Sequence, residues 1–234
     1  MTRMSIQPID LPSDGRRTAA AARRRLREKE ILAATRALFD ARGVRDAQIE
    51  DIARAVGINR AIIYRHFAGK EELFALTLVG YLDELAERLQ AGDSPEAPAE
   101  DRLRALTASF VDYGLEYPAF VDCALTLMRR TGPELLDEIS EGAMYRLGRG
   151  IATCLATLVR TIRAGVDSGV FHTDDVDLLA NTLYASGLGG MQLARVGMLV
   201  KEAAPGVPIT ARLSAAQVKD HLIASALAMA VGAS

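Results

Sequence analysis

Arg60, Tyr64, Arg65, His66 and Lys70 fall within one stretch of eleven residues, in a chain whose net charge is −2. Arg can donate two parallel hydrogen bonds to guanine O6 and N7. Tyr hydroxyl, imidazole and ammonium groups suit phosphate oxygens. The chemistry open to such a set is recognition of a polyanion, with the arginines reading base edges. Taken alone, the same cluster also describes a solvated basic helix face. No catalytic constellation competes with it. His66, His172 and His221 are scattered without metal-ligand spacing. GxSxG and Gly-rich phosphate loops are absent. The pairs Glu71-Glu72 and Asp174-Asp175 stand at expected helix starts, where favourable interaction with the helix dipole explains them. The chain is therefore expected not to be an enzyme and to need no metal or cofactor.

The cluster must be carried by short helices. "IEDIARAVGINRAIIYRHFAGKEELF" (49–74) contains two apolar-periodic segments separated by Gly57. The spacing predicts helices over about 48–55 and 60–66, with Asp46 and Asn59 as caps. Two such helices joined through glycine make a helix-turn-helix. Ile49, Ile52, Ala53, Val56, Ile58 and Ile63 can form its core, which leaves Arg60, Ala61, Tyr64 and Arg65 outward. The second helix is then led into a major groove by its N-terminal residues. A helix over 23–43, ended by Gly43, precedes this unit. Leu78, Leu82, Leu85 and Leu89 place another helix over about 70–89.

Charge follows the same division. Residues 1–70 hold 15 Lys and Arg against 8 Asp and Glu, and the remainder is strongly acidic. A basic head on an acidic body points to a polyanion partner for the head alone. Cys123 and Cys154 form no CxxC pattern, which favours a reducing compartment. With no apolar signal region and no stretch of about 20 apolar residues, the chain is expected in the cytoplasm and not in a membrane. Half of the residues are hydrophobic, aromatics are 5% and Trp is absent. That suits packed helices. The body is expected as helices over about 100–116, 118–130, 133–141, 143–168, 175–201 and 214–231, with Asp174 capping the fifth. "APGVPITARLS" is expected as a loop, and no strand is expected. The fold class is all-α.

"ILAATRALFDARG" followed by residues 49–74 resembles the DNA-binding domain of TetR-type (TetR/AcrR) transcriptional regulators. The landmarks are Ile31, Phe39, Gly43, Ile52-Ala53, Gly57, Tyr64, Phe67, Lys70 and Leu73. The resemblance implies phosphate contacts from Tyr64, His66 and Lys70, and base contacts from the position of Arg60. With Gln48, Glu50, Asn59, Ala61, Ile62 and Arg65 these make the candidate DNA-binding set. Some positions depart from the family pattern. Ala47 and Gln48 replace a common Thr or Ser, and Gln48 could supply the missing phosphate contact. Ile62 stands where Thr is common, and could meet a thymine methyl or simply pack. Glu50 stands where Arg is frequent, and could accept from cytosine N4 or repel phosphate. An Arg-rich arm, residues 1–22 with Arg16 and Arg17, is expected without fixed structure. With Arg23, Arg24 and Arg25 it could add minor-groove or phosphate contacts, or be a solvated tail.

The resemblance further implies a head at 23–70 and a helical effector-binding and dimerisation domain at 71–234. The homodimer would form through the last two long helices and bind a palindromic operator, most commonly as a repressor. Gly187, Gly189 and Gly190 could let helices approach across that interface or within one subunit. A small hydrophobic effector would sit among the middle helices. The candidates are Phe110, Tyr113, Tyr117, Phe120, Cys123, Leu127, Met128, Tyr145 and Tyr184, each of which could equally be ordinary core. The rival reading is a DNA-binding adaptor or nucleoid-associated protein of the same fold without ligand control.

Overall fold

The computed structural model describes residues 14–232, with side chains from Thr18. Ten helices and one hairpin occur among them. The head comprises α1 (Asp14–Arg42), α2 (Ile49–Val56) and α3 (Arg60–His66). The body comprises α4 (Lys70–Gly92), α5 (Ala99–Glu116), α6 (Pro118–Met128), α7 (Gly132–Glu138), α8 (Glu141–Asp167), α9 (Val176–Val196), β1 (Met198–Ala204), β2 (Val207–Arg212) and α10 (Ala215–Val231). The chain is essentially all-α, as its composition implies.

Helix α4 joins the two parts. It is buried on nearly every side from Glu72 to Leu89, with Leu73, Leu82 and Leu85 fully enclosed. A helix enclosed over most of its circumference is central, and only a strip with Asp83, Glu87 and Arg88 is left exposed. It packs along α8 and also meets α1, α5 and α6. Polar ties complete the joint. Tyr81 Oη donates to Asp40 Oδ1 at 2.6 Å, while Arg36 pairs with Glu84 and lies 4.2 Å from the Tyr81 ring centroid. Arg146 on α8 pairs with Glu28 on α1. The backbone N–H of Ser140 donates to the buried Glu72 carboxylate at 3.0 Å.

Several expectations need correction. The Arg-rich arm expected over 1–22 is helical from Asp14 onward; residues 1–13 lie outside the described residues. The run Thr18–Arg25 is made of good helix formers, so α1 simply continues backward. Asp46 does not cap α2: its N-cap is Gln48, which makes no side-chain capping bond. Asp175, not Asp174, caps α9 and accepts from Leu178 N at 2.8 Å. Helix α9 stops at Val196 because Gly197 turns left-handed, with φ 69°.

The chain then forms an antiparallel hairpin where the sequence reading placed a helix end and a loop. Val200, Val207, Ile209 and Thr210 are the β-branched residues that favour it. Of the three glycines in α9, Gly187 and Gly190 serve packing within the subunit. A Cβ there would meet Phe110 and Leu222 at 2.4 and 2.8 Å; only Gly189 faces open space.

Candidate nucleic-acid interface

Local chemistry fixes the geometry of α2 and α3. Gly57 adopts φ 72°, and the N–H of Ile58 reaches back to Ala53 O at 2.9 Å, a Schellman closure of α2. Two residues later the Asn59 side chain accepts from Ile62 N at 3.1 Å and starts α3. Ile49, Ile52, Ala53 and Ile63 are buried beneath, with Val56 and Ile58 partly buried around them. Phe67 and Phe39 close the head against Phe74, whose ring meets Phe39 edge-on at 4.9 Å.

That packing leaves Asn59, Arg60, Ala61, Tyr64 and Arg65 exposed on one face, together with Gln48 and Glu50 from the start of α2. Tyr64 is 44% exposed, unusual for a ring in a folded head. Ile62 and His66 are half-buried beside them. Glu50 Oε1 accepts from Arg60 Nη1 at 2.8 Å, and the Arg60 guanidinium lies 5.5 Å from the Tyr64 ring centroid. Its own backbone N–H, and then Arg60, hold the Glu50 carboxyl below the usual carboxylate range. Lys70 begins α4 at the edge of the face, its ammonium 5.1 Å from the Phe74 ring centroid.

The structure adds groups that the sequence reading left open or missed. The N-terminal part of α1 runs beside α3. Arg23, Arg24 and Arg27 share a concavity of about 570 Å³ with Ile62, Arg65 and His66. His66 Nδ1 has no hydrogen-bond partner there, and burial, followed by the charge of Arg24, holds its pKa below the ordinary value. On the other flank Arg42 and Arg45 border the same hollow as Lys70. The helical spacing of Arg23, Arg24 and Arg27 was the available signal. The arrangement can do what B-DNA requires: a helix bearing Arg and Tyr, flanked on both sides by cations.

The nine candidate effector residues do not form one site. Phe110 and Tyr184 line an apolar cavity of about 60 Å³ between α5, α8, α9 and α10, with Leu89, Leu155, Leu222 and Ala226. Thr107, Ser186 and Ser225 are its hydroxyl-bearing neighbours. Tyr113, Phe120 and Cys123 are fully buried core, and Leu127 nearly so. Tyr113 Oη is occupied by Tyr81 O at 3.0 Å. Tyr117 is half-buried against Tyr81 and Tyr113. Met128 and Tyr145 are 52% and 71% exposed and touch no cavity described here. Cys154 is buried at the cavity, and burial pushes its thiol up to about 12. No cluster of His, Cys, Asp or Glu able to hold a metal occurs among the described residues. No helix among them is long and apolar enough to cross a membrane.

The family model for bacterial regulatory proteins, tetR family, matches residues 31–77. The chain is 39% identical over 85 residues to the HTH-type transcriptional repressor KstR2 of Mycobacterium tuberculosis, covering 36% of this chain and 42% of KstR2. The chain thus spans less than half the length of that relative. It is 32% identical over 97 residues to the HTH-type transcriptional regulator TtgW of Pseudomonas putida, covering 42% of this chain and 68% of TtgW. The solved structure of RolR with resorcinol superposes at TM-score 0.65 over 90% of each chain, at 17% identity, a likeness of fold. The structure of KstR2, described as a ketosteroid transcriptional regulator, gives TM-score 0.54 and 25% identity over 86% of this chain and 93% of KstR2.

Proposed function

The chain belongs to the tetR family of bacterial regulatory proteins, and we propose that it is a ligand-responsive repressor acting in the cytoplasm as a homodimer on a palindromic operator. The observation that carries this reading is the exposed face of α3, where Arg60, Tyr64 and Arg65 stand clear of a core that fixes their helix. Arg60 is assigned to base reading. Tyr64, His66, Lys70 and Gln48 are assigned to phosphates, with Arg65, and Asn59 positions the helix. Residues 23–70 are assigned to the DNA-binding head and residues 71–234 to the effector and dimer domain.

Dimerisation is supported by two unpartnered stripes. On α9, Leu178, Thr182, Gly189, Leu193 and Val196 are exposed on one side. On α10, Gln217, His221, Ala224, Ala228 and Val231 are exposed at steps of four and three. Such spacing is the seam of packed helices. A two-fold dimer would match a two-fold operator.

The cavity beside Phe110 and Tyr184 is the best-supported effector site. RolR binds resorcinol and KstR2 is described as a ketosteroid regulator. Both favour an apolar ring compound with few hydroxyls, for which Thr107, Ser186 and Ser225 are suitable partners. At about 60 Å³ the cavity is smaller than the roughly 150 Å³ that holds benzene. An effector must therefore part the helices around it, and so binds one arrangement better than another, which is what release requires. Leu89 of α4 is in the cavity wall. Movement there passes along α4 to Tyr81–Asp40 and Arg36–Glu84, and so to α1. Half-sites about 34 Å apart tolerate little change in the distance between two α3 helices.

Mapping of binding sites across the source genome tests the reading. One or a few operators, including one near the protein's own gene, support a regulator. Many dispersed sites without a common palindrome would favour the adaptor or nucleoid-associated reading.

A further inference from the structure

The hairpin β1–β2 lies directly between α9 and α10, with its turn at Pro205-Gly206. Its register pairs Met198 with Arg212, Val200 with Thr210 and Lys201 with Ile209. Directly paired residues share a sheet face. One face therefore carries Met198, Val200 and Pro208, and the other Leu199, Ile209 and Ala211. Each face mixes these with polar residues, Glu202, Thr210 and Arg212 on the first and Lys201 on the second, and both faces are open. Val200 is 78% exposed, Met198 52% and Ile209 46%. Within the strands only Leu199 and Ala211, at the base, are partly covered. A two-stranded hairpin alone is marginally stable in water, and two unpaired edges invite pairing with other chains. Something must cover it.

We propose that each hairpin is an arm that packs against a second copy of this chain, across the two-fold axis. The inference rests on the dimer reading above. Continuity argues for that occupant. The exposed stripe of α9 ends on Leu193 and Val196, and just past Gly197 the hairpin opens with exposed Met198 and Val200, so the uncovered apolar side chains follow one another along the chain from helix to hairpin. Nine of the exposed large hydrophobic side chains lie between Leu178 and Val231, while α4, α5 and α8 together expose Tyr145 alone. In an isologous dimer the arm is used twice, so each apolar contact counts double.

Sedimentation equilibrium of the full chain against the Val200→Asp, Ile209→Asp double variant tests this. Both side chains are exposed in the monomer, so the fold should survive, and circular dichroism checks that it does. The dimer dissociation constant is expected to rise at least about tenfold. As a second readout, backbone hydrogen exchange in Met198–Arg212 is expected to slow as the wild-type protein is concentrated through its dissociation constant. A wild-type dimer with unchanged affinity in the folded variant would overturn the arm and leave the dimer standing. A wild type that stays monomeric throughout would overturn both.

Discussion

Glu50 Oε1 lies 2.8 Å from Arg60 Nη1, so the first residue of α3 is held by a carboxylate from the helix before it. The sequence reading left Glu50 as either a cytosine acceptor or a repeller of phosphate. The pairing offers a third role, orienting Arg60 and keeping it off phosphates. Arg60→Ala is expected to weaken operator binding about tenfold to a hundredfold and to relax one base position. Glu50→Ala is expected to tighten binding to scrambled DNA and steepen the salt slope by about one. Titrations of both variants on operator and scrambled duplexes, at several salt concentrations, check the pair. A Glu50→Ala variant with unchanged salt slope would show that the contact is incidental.

His66 titrates below its ordinary value because burial, and then Arg24, disfavour the imidazolium; Arg27 and Arg65 add to this and Glu28 opposes it. The free protein therefore keeps a neutral ring at neutral pH. A phosphate at the proposed His66 contact would favour the charged form, so DNA binding through it would take up a proton. Operator affinity should rise as pH falls from 7.5 to about 5.5, and His66→Gln should flatten that dependence. The sign for stability is opposite. The unfolded chain binds the proton more readily, so the DNA-free protein loses stability as pH drops through about 6.5. Melting curves of wild type and His66→Gln across this range should diverge on the acid side.

Ala226 is buried in the cavity wall. Ala226→Val adds two methyl groups to a space of about 60 Å³. Each buried carbon is worth about 0.8 kcal/mol when it fits. The melting temperature should hold or rise by a few degrees, operator affinity should be unchanged, and release by any effector should be lost. Retained release would place the effector elsewhere.

Tyr81 couples the parts through one hydrogen bond to Asp40. Tyr81→Phe keeps the ring packing and, because the lost bond is to a carboxylate, should cost about 1.5–3 kcal/mol in stability. Effector response should weaken more than operator affinity, measured by comparing ligand-induced release at matched saturation. Cutting Leu82 instead would be uninformative, because a fully buried Leu→Ala costs about 2–5 kcal/mol on its own.

The head was legible because its signals are local. Asn59, Gly57 and Gly43 act within a few residues, and the buried face of α2 is set by helical spacing. The body was legible only as a sequence of helices. Tyr113, Phe120 and Cys123 look the same in sequence whether they line a cavity or fill a core, and only packing between distant helices decides. The β-hairpin was missed for a different reason. Val207, Ile209 and Thr210 after Pro205-Gly206 carry part of a strand signal, but Pro208 interrupts it and the apolar pattern of α9 runs on into Met198–Val200. Glu50–Arg60 spans ten residues and two helices, a distance at which composition says nothing about pairing.

The most direct measurement is fluorescence anisotropy of the purified protein on its own upstream DNA and on a scrambled duplex, at two salt concentrations. The account predicts at least about a thousandfold preference for the upstream DNA. It also predicts loss of that preference in a Tyr64→Phe, Lys70→Ala variant that remains folded. Equal, weak binding to both duplexes that collapses with salt, with no genomic site bound better, would contradict it.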